Sequence, residues 1–220
     1  MFRFFSRPAP LVLALAIFTF IPVLTALVQV FQIPTGTYPE DSARLAAASI
    51  SWFAHVLAGV AFGITGPLQF VRALRHRFGA LHRVSGRIFV LSGVIIGLSG
   101  LSLLAQVTSL RTPLADIARG VFGLALLIAL ALAMAAIRDR DFLRHRAWVI
   151  RAYAIGMGLG AVSLVFFPIY IITGQAPNGL ASDILFVGSW ALSIAFAEVV
   201  IRHSSHSPPQ FPHEKRHRNS

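Results

Sequence analysis

The chain has 220 residues, 56% of them hydrophobic and only 12% charged, with a mean hydropathy of +0.73. Water-soluble domains carry about 25% charged residues, so this composition excludes an ordinary soluble domain and indicates a bilayer-embedded chain. The net charge is +11 and there is no cysteine, which excludes disulfides, iron–sulfur clusters and thiolate chemistry and leaves His, carboxylate and Arg as the reactive groups.

In chain order, Met1 to Arg7 is short and basic, and an apolar run over about 9–31 follows. That run is too long for the apolar region of a signal peptide and no small-residue cleavage site closes it. It is expected to be an uncleaved first span, kinked at Pro22. Ile33 to Leu45 is a polar connector with Pro34, Gly36, Pro39, Glu40 and Asp41. The second span is expected over 45–71, with Trp52 near its start, His55 inside it and Gly66-Pro67 toward its far end.

A basic loop, Arg72 to Arg87, leads to a third span over 87–110. Gly93 and Gly97 form a small-xxx-small pair there, which lets a neighbouring helix approach closely. A turn with Arg111 and Pro113 precedes the fourth span, 114–137, in which Arg119 is spaced to pair with Asp116 at i, i+3. A second basic loop, Arg138 to Arg151, leads to a fifth span over 147–173, with Gly156, Gly158 and Gly160 as a close-packing face. After a polar turn with Pro177 and Asn178, the sixth span covers 180–201, and its Glu198 can reach Arg202 at i+4. Residues 202–220 form a basic tail without the apolar residues needed to fold, and are expected to be disordered. Its His203, His206, His213 and His217 therefore offer a metal no fixed geometry.

Lys and Arg concentrate before span one, after spans two and four, and in the tail. With six spans these segments share one side. The positive-inside rule then predicts an all-α, six-transmembrane-helix bundle with both termini and both basic loops in the cytoplasm. The cations are thus expected to face anionic lipid rather than nucleic acid. Spans two–three and four–five resemble each other: Gly59 to Gly63 and Gly120 to Gly123 open the two hairpins, and Leu81-His82-Arg83 and Arg144-His145-Arg146 follow about twenty residues later. Internal duplication and chance similarity both stay open.

The candidate site residues are His82, His145, His55, Arg83, Arg87, Arg146 and Arg151. His82 and His145 start the third and fifth spans at similar depth. If those spans are neighbours, the imidazoles can face each other, as the axial ligands of a b-type haem iron do, and the flanking Arg residues suit its propionates. The plainer alternative is an interfacial His-Arg pair on lipid phosphates or loop carbonyls. Arg87 and Arg151 start apolar runs, where a cation either snorkels to the headgroups or is paired. For Arg151 the partner is an acidic side chain, a propionate or a bound anion, with Asp139 and Asp141 nearest in sequence. His55 is near mid-bilayer with no second His at its depth. It is left to a quinone, a proton, a single axial bond, or a hydrogen bond that bridges two helices, with Ser51 and Arg119 as candidate partners.

Together, His55, Gly66-Pro67-Leu68-Gln69-Phe70, Leu74-Arg75-His76-Arg77, Leu81-His82-Arg83, Gly86-Arg87 and His145-Arg146-Ala147-Trp148-Val149-Ile150-Arg151-Ala152-Tyr153-Ala154 resemble the domain of unknown function 2306 family. These are bacterial predicted membrane proteins. The resemblance covers spans two to five, with Val149 where members commonly have Met. It implies a bacterial inner (plasma) membrane location and no particular activity. The arrangement is more loosely similar to the cytochrome b561-like membrane cytochromes, which implies haem b held by His at helix ends. Those proteins use two His pairs, whereas His55 has no partner here. Two functional readings follow: a haem b or quinone electron-transfer protein, or a cytoplasmic Arg/His pocket that binds or transports an anionic lipid or small anionic metabolite.

Overall fold

The structure is a computed structural model that describes residues 8–107, 112–175 and 179–205. It is all-helical: α1 (Pro8–Thr35), a 3-10 segment (Glu40–Ala48), α2 (Ser49–Gln69), α3 (Arg72–Arg77), α4 (Gly79–Gln106), α5 (Pro113–Arg138), α6 (Phe142–Gly156), α7 (Leu159–Thr173) and α8 (Gly179–Ser205). Five helical stretches are long and apolar enough to cross a membrane, in α1, in α2 with its 3-10 lead, and in α4, α5 and α8. Their outer faces present Leu91, Leu98, Ile117, Val121, Leu124 and Ile128, each more than half exposed. Only lipid covers so continuous an apolar surface without cost. The chain is a multi-pass membrane protein.

Two boundaries differ from expectation. The basic loops are largely helical: α4 begins at Gly79 and α6 at Phe142, so His82 and His145 are each the fourth residue of a helix. Arg, Leu and Ala are strong helix formers, which extends each helix beyond its apolar run. Asp141 caps α6, its side chain accepting from the Arg144 N–H at 2.9 Å. The tight turn before it places Arg140 in the left-handed region, at φ 60°. The second difference is in the expected fifth span, which is two 15-residue helices, α6 and α7, broken at Met157-Gly158. The Trp190 ring fills the notch at Gly158, where a Cβ would stand 2.1 Å from Trp190 Cδ1. The Trp190 indole N–H donates to the Ile155 carbonyl at 2.9 Å, so the break leaves that buried acceptor satisfied. Arg111, Pro177, Asn178 and the tail from His206 onward lie outside the described residues.

Helices α2 and α4, α5 and α6, α1 and α2, and α4 and α5 form the main packed pairs, with α8 laid against α6 and α7. One buried cluster joins Phe62, Phe89, Leu126, Leu130, Val149, Tyr153 and Met157. Phe62 stacks on Phe89 with centroids 4.5 Å apart. Its ring fills the notches at both Gly93 of α4 and Gly156 of α6, where added Cβ atoms would stand 2.9 and 2.5 Å away. The expected small-xxx-small pair is used this way: Leu130 and Leu127 of α5 pack onto Gly93 and Gly97. Pro22 leaves the Phe18 carbonyl without its helical donor, and there Gly160 of α7 comes close, a Cβ on it standing 3.1 Å from that oxygen. At the far end of the bundle, Asp183 of α8 is buried and accepts from the Thr112 N–H at 2.9 Å, capping α5 from a neighbouring helix.

Gly156→Ala should therefore destabilise the fold by about 1–3 kcal/mol, the usual cost of overpacking a filled core. Gly188→Ala, where a Cβ meets nothing within 4 Å, should be neutral or slightly stabilising. Thermal unfolding midpoints in detergent compare the two.

Candidate functional site

The basic end of the bundle is built on the starts of α4 and α6. His145 is tied to α5, its Nδ1 lying 2.8 Å from the Ala133 carbonyl oxygen. A carbonyl only accepts, so Nδ1 carries the proton and Nε2 of the neutral ring holds a lone pair. His82 is within electrostatic reach of His145, Arg75 and Arg83. Its Nδ1 is buried and makes no hydrogen bond among the described residues, an uncommon state for a buried polar atom. The two imidazoles thus lie at the same end of the bundle, within electrostatic reach of each other.

The family-like motif around Gly66 to Phe70 sets the floor of this region. Gln69 Nε2 donates to the Ser85 hydroxyl at 3.1 Å and to the Thr65 carbonyl at 3.2 Å, pinning the end of α2 to the first turns of α4. Ser85 in turn donates to the His82 carbonyl at 3.1 Å. Gly66 leaves the space that the Tyr153 ring occupies, a Cβ there falling 2.0 Å from Tyr153 Cε2. Phe70 packs edge-on against the same ring, with centroids 5.8 Å apart. Gln69 and Tyr153 were visible in the sequence only as members of a motif. Neither spacing nor charge marked them as the parts that lock α2, α4 and α6 together.

The four guanidinium groups do not converge. Arg83 and Arg87 are exposed on α4. Arg151 forms a two-pronged ion pair with Glu198 of α8, at 2.6 and 3.0 Å, and lies 4.6 Å over the Trp148 ring. Its partner is neither Asp139 nor Asp141, and Glu198 is engaged across helices as well as lying near Arg202. The long-range pairing arises because the α6–α8 contact brings together residues 47 positions apart. Arg146 follows His145 by one residue, about 100° around the helix, and lines a cavity of about 340 Å³ between α1, α6 and α8.

His55 is the helix bridge: its Nδ1 is 3.0 Å from the Ser99 hydroxyl of α4. Of the two partners the sequence suggested for it, neither is used: Ser51 pairs instead with Ser102 at 2.8 Å. Arg119 pairs with Asp116 at 2.9 Å, as its spacing predicts, and sits 5.2 Å over the Phe186 ring. Among the described residues no group of three His, Asp or Glu side chains converges on a metal position. A bare metal site of three or more ligands is therefore not formed there, whereas a haem iron asks for only two imidazoles.

A family model described as "Predicted membrane protein (DUF2306)" matches residues 52–201, well over half of the chain and the whole stretch from α2 into α8 that carries these residues. Neither a curated protein nor a solved structure matches the chain.

The Arg151–Glu198 pair is partly exposed, so its worth is best read as a coupling energy. In a double-mutant cycle, Arg151→Ala and Glu198→Ala should couple by about 0.5–3 kcal/mol, the range for contacting residues. The double variant should be more stable than the sum of the single losses implies. Detergent unfolding of the four proteins measures this.

Proposed function

The chain belongs to the DUF2306 family of predicted membrane proteins, and on that premise we propose that it is a six-crossing electron-transfer protein that holds a haem b between His82 and His145. In this reading α6 and α7 together make the fifth of six crossings, the basic helix starts face the cytoplasm, and the membrane is a bacterial inner membrane. The observation that supports the proposal is that the two imidazoles start α4 and α6 at the same end of the bundle, within electrostatic reach of each other. His145 is oriented by a carbonyl so that Nε2 presents a lone pair, which is the outer-shell arrangement that axial histidines use. His82, within its electrostatic reach, has a buried nitrogen that makes no hydrogen bond among the described residues.

A haem bound there supplies reversible one-electron chemistry. The chain's own residues do the rest. Ala133 fixes the His145 ring, and Gln69 and Ser85 fix the helical turn that carries His82. Arg75 and Arg83, within electrostatic reach of His82, are placed to neutralise propionates. Arg146 and Arg151, directed elsewhere, are not needed for that role. His55 is assigned a structural bridge through Ser99.

A second reading rests on the same corner: without haem, the Arg75 and Arg83 charges near His82 would attract a phosphate or carboxylate. One experiment separates the two. Full-length protein purified from haem-replete cells should show a Soret absorption that shifts on reduction with dithionite. His82→Ala and His145→Ala should each remove most of that absorption while the protein stays folded by circular dichroism. A folded, colourless wild-type protein would sink the haem reading and leave the anion site as the one to pursue.

A further inference from the structure

The cavity between α1, α6 and α8 is a separate feature from the imidazole pair. On α6 it runs from Arg146 to Ala154, and on α8 from Leu192 to Val200. Each stretch advances eight residues, which at 1.5 Å each gives a slot about 12 Å long. The two helices run in opposite directions, so Arg146 and Val200 mark one end of the slot and Ala154 and Leu192 the other. Half of a hydrocarbon core is about 15 Å. The slot therefore reaches from the basic end of the bundle nearly to mid-bilayer.

The walls are almost entirely apolar, with Leu15, Phe18, Phe70, Ile150 and Phe196 among them. Three polar side chains contribute: Arg146, Tyr153 and Ser193. The Tyr153 hydroxyl is sealed beside Thr19 and leaves only its ring to the wall. Among the described residues Ser193 makes no hydrogen bond, whereas Ser92, Ser99 and Ser189 each donate to the carbonyl four residues back. Leu192 and Phe196 line the slot and are also exposed, by 71% and 47%, so the slot opens sideways toward lipid.

From this geometry we infer that the slot seats one acyl chain of a bilayer phospholipid whose anionic headgroup is held by Arg146. A soluble anionic metabolite does not suit apolar walls and a lateral opening. A phospholipid supplies both the apolar body and the phosphate that a guanidinium binds well. The volume falls at the lower end of ordinary ligand pockets, about 300–1,000 Å³, which matches one chain rather than a whole lipid. The inference does not depend on haem at His82 and His145.

The test uses the full chain in nanodiscs of equal phosphatidylglycerol and phosphatidylcholine, with retained lipid read by native mass spectrometry after detergent extraction. Wild type should retain phosphatidylglycerol over phosphatidylcholine by about fivefold, the factor one Arg near an anionic headgroup contributes. Arg146→Gln should abolish that preference, and Arg144→Gln, an exposed neighbour, should preserve it. Ser193→Phe, which fills the slot, should remove retention of both lipids. Equal losses in the Arg144 and Arg146 variants would show a diffuse surface charge and overturn the inference. So would undiminished retention in a folded Ser193→Phe protein. Displacement of the retained lipid by decylubiquinone at stoichiometric amounts would reassign the slot to a quinone and overturn the phospholipid assignment.

Discussion

The Phe62 ring is the contact on which the rest of the structure depends. It comes from α2, stacks on Phe89 of α4, and enters the glycine notches of both α4 and α6. Within a bilayer, helices gain nothing from hiding apolar surface, because lipid is as apolar as Leu. Association rests on close van der Waals contact and interhelical hydrogen bonds. A ring seated in two notches supplies many such contacts at once. Tyr153 in the Gly66 notch and Trp190 in the Gly158 notch repeat the device on either side. The polar ties, Gln69 to Ser85 and His55 to Ser99, then fix the register of helices that the rings have brought together.

The positions of the two imidazoles follow from that packing. Phe62 sets the spacing of α4 and α6, Gln69 anchors the first turns of α4, and the Ala133 carbonyl anchors the first turn of α6. His82 and His145, each fourth in its helix, are therefore carried on anchored turns at the same end of the bundle. The same rotation of α6 that aims His145 toward α5 carries Arg146 to the opposite slot and Arg151 to Glu198. Adjacent residues on one helix thus serve three different neighbourhoods, and a basic run that looks like one cluster in sequence is divided in space.

This division explains how much of the site was legible beforehand. That His82 and His145 start two helices at one end of the bundle could be anticipated, because equal depth at two helix starts is a one-dimensional property. The Arg151 partner could not. Glu198 is 47 residues away on a helix whose neighbours no spacing reveals, and its own sequence context offered Arg202 instead. His55 bonding to Ser99 rather than to Ser51 has the same cause. A side chain inside a helix bundle chooses among residues on other helices, and that choice depends on rotation about each axis. The break at Met157-Gly158 had a partial signal in its three spaced glycines, but glycine spacing alone does not distinguish a packing face from a discontinuity. Trp190 decided it.

By itself the sequence determined that this is a helical membrane protein, roughly where its long apolar helices lie, and which segments carry the positive charge. Those properties are additive along the chain: transfer of apolar residues to lipid and of cations to water depends on composition and length. Only the tertiary structure decided which helices touch and which face each turns inward. It likewise decided which cation is paired, which lines a slot, and which imidazole nitrogen is left without a partner. Those depend on contacts between residues far apart in the chain, made where a ring meets a glycine notch, and no local pattern encodes the angle at which two helices meet.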